Sequence, residues 1–403
     1  NLKIVKNGIL MSEQKHKEAT SNLVPKITAN ADYRYYTDQP YQLMPASVFG
    51  GPEGTFREAQ FGVPHNINAN LQLTIALYNP QIFGAIKTTK IATEISELQY
   101  EKTEEQVYFE VSNLYYNAQI LYHQLVFVDS NLANNSKLQK NMQLLKEQLL
   151  AKGTDVSKVQ LQGEQLATQK ELIKSKYEQV LNALKFSMGI PVNQIIQIDQ
   201  RIQYQSSNEY TKTLNIDIRI AENQKRLVVS ELNALKYSRL PSLSLYGTYG
   251  QTGFGYDKKP NDFLRFYPVG FVGVQLSIPL FNGMVTQRKI NQKKIEWQNN
   301  DLQLNLITEQ NDMLIENDKR QKLIAQKTIV NTLSQIKLAQ SNYEQTVLQQ
   351  EQGLATLTDI LLADNVLREA QQTYLMAIVD FLKADLELRK QTGNIMNTIK
   401  NKQ

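Results

Sequence analysis

Cysteine is absent from the 403 residues, which excludes disulfides and thiolate metal sites. The compartment stays open, because an oxidising space does not require cysteine. Histidine is almost as scarce. His16, His65 and His123 stand alone, without ligand spacing such as HExxH, and read as packing or surface side chains. No nucleophile–base pattern accompanies them, so the expectation is a non-enzyme with no cofactor and no metal. No apolar run reaches the ~18 residues of a membrane-spanning helix. No signal-peptide pattern is visible either; the chain opens in the helical-looking "NLKIVKNGILMSEQ", read as a start that has lost its leader, including any export signal. Acidic and basic residues are interleaved at a net charge of +5, which describes solvated helix faces and not a nucleic-acid stripe. A mean hydropathy of -0.41 fits long, wet helical surfaces.

Glycine and proline are missing from two long stretches, Ala85 to Lys152 and Met284 to Gln352. At 1.5 Å per residue each stretch would span roughly 100 Å as helix. In the first, Val107, Val111, Leu114, Ala118, Leu121, Leu125, Val128 and Leu132 recur at steps of four and three. Ile329, Leu333, Ile336, Tyr343 and Val347 do much the same in the second. Such a seven-residue repeat predicts supercoiled packing. A second stripe, Tyr108, Tyr115 and Tyr122, runs beside the first seam, so the helix is expected to pack on two sides, as in a ring of helices.

The chain is built twice over. "NLKI…LVPKI" from Asn1 matches "DIRI…RLPSL" from Asp217, with Pro25 on Pro241 at an offset of 216. "LQLTIALYN" from Leu71 matches "VQLSIPLFN" from Val274 at an offset of 203, and "EQLLAKGTD" from Glu147 matches "EQGLATLTD" from Glu351 at 204. Gly189 falls on Gly393. The first half holds 13 extra residues, within the Gly/Pro-rich loop Gln39 to Pro64. Each half reads as short helix, strand, loop, strand, very long helix, tight turn and return helix.

Four strands of about ten residues carry a strict two-residue alternation. Ile27, Ala29, Ala31, Tyr33 and Tyr35 share one face; so do Ala69, Leu71, Leu73, Ile75 and Leu77; then Leu243, Leu245 and Tyr249; then Val272, Val274, Leu276, Ile278 and Leu280. Lys26, Thr28, Asn30, Asp32, Arg34, Gln72 and Thr248 take the opposite parity. A soluble sandwich strand alternates too. Here no helical segment is apolar enough to cover these faces, and ten residues suffice to cross a bilayer at a tilt. Aromatics near the strand ends (Tyr33, Tyr35, Tyr36, Tyr41, Tyr78, Phe266, Tyr267, Phe281) are expected to form interfacial girdles. "GQTGFG", Gly250 to Gly255, opens no helix and reads as an external loop instead of a phosphate loop. Four strands cannot close a barrel and lipid does not tolerate an open edge, so closure must come from two, three or four chains, giving 8, 12 or 16 strands.

The paired halves, the strand–Asn–helix junctions at Asn79 and Asn282 and the turns "KGTD" and "GLATLTD" resemble the TolC-type outer-membrane efflux proteins along essentially the whole chain. That resemblance implies a mixed α/β membrane protein in which a homotrimer shares one 12-stranded β-barrel, four strands per chain, continued into the periplasm by a long α-helical barrel. Its parts would be a short helix over 1–24, a membrane β-hairpin over 25–78, a long helical hairpin over 79–190, an equatorial connector over 191–216, then a short helix over 217–240, a hairpin over 241–281, a helical hairpin over 282–393 and an equatorial tail over 394–403. The function implied is a passive exit duct of a tripartite efflux or type I secretion system, set in outer-membrane lipid, served by a periplasmic adaptor and an inner-membrane pump. A non-conducting trimeric coiled-coil stalk or adhesin is the alternative, although a stalk needs one heptad seam and no membrane hairpins.

The resemblance places the gate at the helical tips, on Asp155 and Asp359, with Asp364 nearby and the adaptor-contacting residues at Thr154, Gly353, Leu354 and Thr358. The family's second acid falls on Leu362, and its basic and tyrosine latch partners fall on Ala355 and Gln350; Lys152 or Lys158 is expected to replace them, Lys152 first. Asp155 or Thr154 could equally cap the helix that follows, whereas Asp359 reads as pore lining.

Overall fold

The computed structural model describes residues 2–60, 62–202, 210, 213–258, 262 and 265–395. The beginning at Asn1, most of the tail over 394–403, parts of the connector over 191–216 and Lys259, Pro260 and Asn261 lie outside them. Two compact units emerge, one of Lys6–Glu97 and Glu222–Asp301, the other of the remaining described residues. The repeat is visible element by element. Helix α1 (Leu2–Ser21), strands β1 (Lys26–Tyr35) and β4 (His65–Tyr78), and helices α2 (Pro80–Glu147) and α3 (Gly153–Met188) make the first half. Helix α4 (Ile216–Tyr237), strands β5 (Ser242–Gly255) and β6 (Arg265–Ser277), and helices α5 (Val285–Glu351) and α6 (Leu357–Gln391) make the second. Among the described residues no helix is long and apolar enough to cross a membrane.

The Gly/Pro-rich insertion is not a bare loop. It contains a small ribbon of β2 (Tyr41–Pro45) and β3 (Phe56–Gln60), with a 3-10 turn at Ala46–Phe49 between them. Strands of five residues are too short for their alternation to stand out. "GQTGFG" is likewise a correction: it forms the end of β5, paired with β4 as far as Gly255. A Cβ on Gly250 would lie 2.3 Å from the carbonyl oxygen of Ala69, and one on Gly253 would lie 2.5 Å from the Phe266 ring. Those glycines serve close strand passage and not a turn. Strand β6 ends at Ser277, so Ile278 and Leu280 follow it.

The long helices bury a heptad stripe that differs in detail from the apolar one. On α5 the buried positions are Ile290, Asn311, Ile315, Lys322, Ala325, Ile329, Thr332, Ala339 and Tyr343. Leu333 is 38% exposed, and its seam place belongs to Thr332, whose hydroxyl bonds back to the Thr328 carbonyl at 2.8 Å. On α2, Asn131 is buried and its amide donates to Gln371 Oε1 at 3.0 Å, while Leu132 is only half-buried. Leu138 and Met142 of α2, Val159 of α3, Ala339 and Tyr343 of α5, and Ile360 and Leu367 of α6 pack in one core. A buried ion group reinforces the same unit: Lys322 of α5 meets Asp385 of α6 at 2.7 Å, Arg389 meets it at 2.8 Å, and Tyr210 of the connector donates to it. The connector is also held by Gln119, which donates to the Asp199 carbonyl at 2.7 Å, and by His123 against the Gln200 carbonyl at 2.8 Å.

Candidate functional site

Two features carry the functional reading, the four-stranded sheet and the helical turns. The sheet has the order β1-β4-β5-β6, antiparallel throughout. Its register sorts side chains by parity across all four strands. One row holds Ile27, Leu73, Gly247 and Val272; the next holds Ala29, Leu71, Tyr249 and Gly270; Leu243 stands opposite Leu276. The other face carries Thr28, Gln72, Thr248 and Phe271 in one row, and Asn30, Asn70, Gly250 and Val269 in the next, so it is polar on β1 and β4 and mixed on β6. The apolar side chains stand open: Ile27 is 70% exposed, Val272 78% and Leu276 61%. Strands β1 and β6 are both edges, with the full length of one backbone side unpaired.

The aromatics divide between the two faces. Tyr33 and Tyr35 share the apolar face with His65, which is buried, hydrogen-bonded to the Tyr33 hydroxyl at 2.6 Å, stacked on the Tyr33 ring and tilted against that of Tyr35. Phe266 belongs to the same face, opposite Gly253. Tyr267 pairs with Thr252 and therefore sits on the polar face, a correction to the girdle, and Tyr41 belongs to the β2–β3 ribbon. Parity decides Tyr267; nearness to a strand end does not.

The turns repeat one geometry. Leu149 and Gly353 occupy matching places with φ of 63° and 73°. Behind them Leu150 N–H donates to the Leu145 carbonyl, and Leu354 N–H to the Gln349 carbonyl, both at 2.8 Å, the wrapped end of a Schellman-type cap. Leu149, Leu150 and Leu354 are 93%, 72% and 76% exposed, so each turn presents bare apolar side chains. Thr154, Gly353 and Thr358 are exposed too.

The acids at the turns differ sharply. Thr356 is the N-cap of α6 and Asp359 its third residue, locked in a capping box. The Asp359 carboxylate accepts from the Thr356 N–H at 2.8 Å and from its hydroxyl at 2.7 Å, and the Thr356 hydroxyl accepts from the Asp359 N–H at 3.3 Å. These bonds, the hydroxyl's first, hold the exposed Asp359 carboxyl below its ordinary range. In α3 neither Thr154 nor Asp155 is the cap: Lys152 holds that place by its backbone alone, and Asp155 sits in the first turn with Lys158 at 3.4 Å. Lys158 is thus engaged on its own helix. Asp364 is corrected outright as a free gate acid. It is 6% exposed, accepts from Gln162 of α3 at 2.5 Å and pairs with Arg368 at 3.0 Å, bracing α3 against α6. Burial pushes its carboxyl up, opposed by Arg368 and Gln162.

No protein-family model matches the chain, and no curated protein matches it. Solved structures do. The outer membrane protein VceC of Vibrio cholerae superposes with a TM-score of 0.79 at 16% identity, over 97% of this chain and 92% of that one. The chain has the TolC-type outer-membrane channel fold. The CmeC outer membrane channel of Campylobacter jejuni follows at a TM-score of 0.76 and 15% identity, over 99% and 85% of the two chains. The MtrE outer membrane channel of Neisseria gonorrhoeae, in its open state, gives 0.73 at 14%, over 97% and 85%. Nearly complete coverage in both directions means that both halves of the TolC-type fold, sheet strands and long helices alike, are shared.

Proposed function

We propose that the protein is the outer-membrane exit duct of a tripartite efflux or type I secretion system, a homotrimer whose three sheets close one 12-stranded barrel. The observation that carries this reading is the sheet: four strands with one bare apolar face, one amide- and hydroxyl-rich face and two open edges. Lipid satisfies the first, water the second, and only further copies of the chain satisfy the edges. The fold likeness supports three copies. The polar face then lines a passive water-filled path, and the helical barrel extends it into the periplasm. The stalk or adhesin alternative is not favoured, since it leaves the sheet without a use.

The turns are the periplasmic end, gated by rings of Asp359 and Asp155, with Lys152 as the cation that offsets them. An adaptor docks on Thr154, Gly353, Leu354 and Thr358, and an inner-membrane pump supplies the cargo. A carboxylate ring at a constriction favours cations. The capping box supports this role by fixing Asp359 in one ionised orientation.

Planar-bilayer conductance of the purified trimer is the test. The wild type is expected to conduct with cation preference and to be blocked by multivalent cations from the helical side, and Asp359→Ala to raise conductance and weaken that block. Asp359→Asn, which keeps an acceptor for the cap, separates the loss of charge from the loss of the box. Absence of conductance refutes the duct; unchanged selectivity and block in both variants leaves Asp359 as a cap alone.

A further inference from the structure

The helix segments that leave the sheet carry a charge pattern for which a passive duct has no use. From the end of β4 at Tyr78 to Glu94, the first acid of α2, the only charges are Lys87 and Lys90. From the end of β6 to Glu296, the first acid of α5, they are Arg288, Lys289, Lys293 and Lys294. The end of α4 and the turn after it, which lead back into β5, add Lys236 and Arg239. These cations alone outnumber the whole chain's surplus of +5. Farther along α2 the sign reverses, with Glu94, Glu97, Glu101 and Glu104.

Most of the belt is unspent within the chain. Lys293 is engaged by Glu231 at 2.6 Å and Glu296 at 2.8 Å, while Lys87, Lys90, Arg288, Lys289 and Lys294 are exposed. Between belt and sheet lie the exposed rings of Tyr78, Phe83 and Phe281, the first two 6.3 Å apart, and Tyr237 is exposed within the belt itself. A groove of ≈ 820 Å³ opens at the same level between α2, α4 and α5, lined by Ala85, Ala234 and Val285 together with Lys289, Lys293 and the acids Glu231 and Glu296. Aromatic rings at a lipid boundary, followed by long cationic side chains, match a headgroup layer in depth order. Glu231 of α4 answers Lys293, but no acid precedes Glu94 on α2 or Glu296 on α5, and that excess of cations matches headgroups with net negative charge better than zwitterionic ones.

We propose that this belt binds anionic phospholipid, of the phosphatidylglycerol or cardiolipin kind, in the periplasm-facing leaflet. The inference rests on the reading of the sheet as membrane-embedded. It adds that the barrel's depth is set electrostatically from the helical side.

The test reconstitutes the full-length protein in nanodiscs of equal phosphatidylcholine and phosphatidylglycerol and measures the lipid retained after detergent extraction at low salt. Wild type is expected to retain phosphatidylglycerol in excess. Arg288→Gln/Lys289→Gln/Lys294→Gln is expected to cut the excess at least about fivefold, which is the ~1 kcal/mol attraction of a single cation near the surface. Lys137→Gln/Lys140→Gln/Lys146→Gln, which removes the same charge from exposed positions elsewhere on α2, is expected to leave it intact. No excess in the wild type, or equal loss in both variants, overturns the proposal. Conductance in neutral lipid separates the two readings: a belt variant that conducts normally without its lipid excess supports the belt, and a wild type that conducts in no lipid sinks the duct while the lipid excess still measures the belt.

Discussion

Leu73→Arg and Gln72→Arg place the same cation on neighbouring residues of β4, so their difference isolates the face. Leu73 lies mid-strand between Ile27 of β1 and Gly247 of β5, on the apolar face; Gln72 lies between Thr28 and Thr248 on the other. An arginine facing lipid near the bilayer midplane costs about 2–4 kcal/mol, and one facing a water-filled lumen costs little. At 1.4 kcal/mol per tenfold, Leu73→Arg should shift the folding equilibrium of each chain by about 1.5 to 3 powers of ten. The neighbouring Gly247 offers no side chain to shield the charge, which favours the upper half of that range. Urea titration of refolding into lipid vesicles reads the cost directly, and the fraction of trimer in mild detergent reads its effect on assembly. Leu276→Arg against Gln275→Arg repeats the comparison on β6, where Leu276 faces Leu243 and Gln275 faces Ser244. Equal penalties on both parities, or a heavier one at Gln72, would refute the membrane assignment of the sheet.

Two further outcomes follow from single positions. Glu105 of α2 is half-buried beside the Glu101–Arg219 and Lys102–Asp217 pairs, and burial first, then Asp217 and Glu101, push its carboxyl up to about 7 against the cations of Arg219 and Lys390. A raised carboxyl binds its proton more tightly folded than unfolded, so stability should fall as pH rises from about 4.5 to about 7. A fully buried shift of that size is worth about 3 kcal/mol, and solvent at this side chain reduces it to ~1 kcal/mol. Glu105→Gln should therefore stabilise by that amount at pH 8 and do nothing at pH 4, by thermal melts in detergent; a pH-independent effect refutes the assignment. Leu149→Gly should stabilise by ~0.5–1 kcal/mol, because a non-glycine residue at φ 63° costs about 1–2 kcal/mol and glycine returns part of that in chain entropy. A loss of stability in the trimer would mean that the exposed leucine is in use there.

What the sequence makes legible here is whatever repeats. Parity of two exposed the apolar face of each strand, though on β6 it ran past the strand's end at Ser277 and gave no sign of Val269 and Phe271 on the other face. The long glycine- and proline-free runs predicted helices that the structure draws as α2 and α5 with no break. The repeat also held a signal for Leu149, since "EQLLAK" laid on "EQGLAT" sets that leucine on Gly353, and Thr356-x-x-Asp359 is the pattern of a capping box. The seams were harder, because a reading of apolar steps is blind to polar residues that occupy them. Asn131, Lys322 and Thr332 sit in the buried stripe. Burial of such groups is tolerable only with partners, and the first two find theirs far along the chain, in Gln371 and Asp385. No local window contains both members of such a pair. Asp364 is half the same case at the tips: Arg368 lies four residues on, within its own helix, but its partner Gln162 belongs to the other half of the repeat, and it is that bond which ties the acid to α3. Asp359 is the opposite case, with both its partners three residues away, and there the local pattern told the truth about structure while leaving function to another scale. A capping box uses one carboxylate oxygen and leaves the other exposed, so the cap orients the group that a ring of copies would need at an axis. Cap and gate are therefore compatible at this residue, and only the charge-removing Asp359→Asn, which spares the cap, can tell a gate from a helix end.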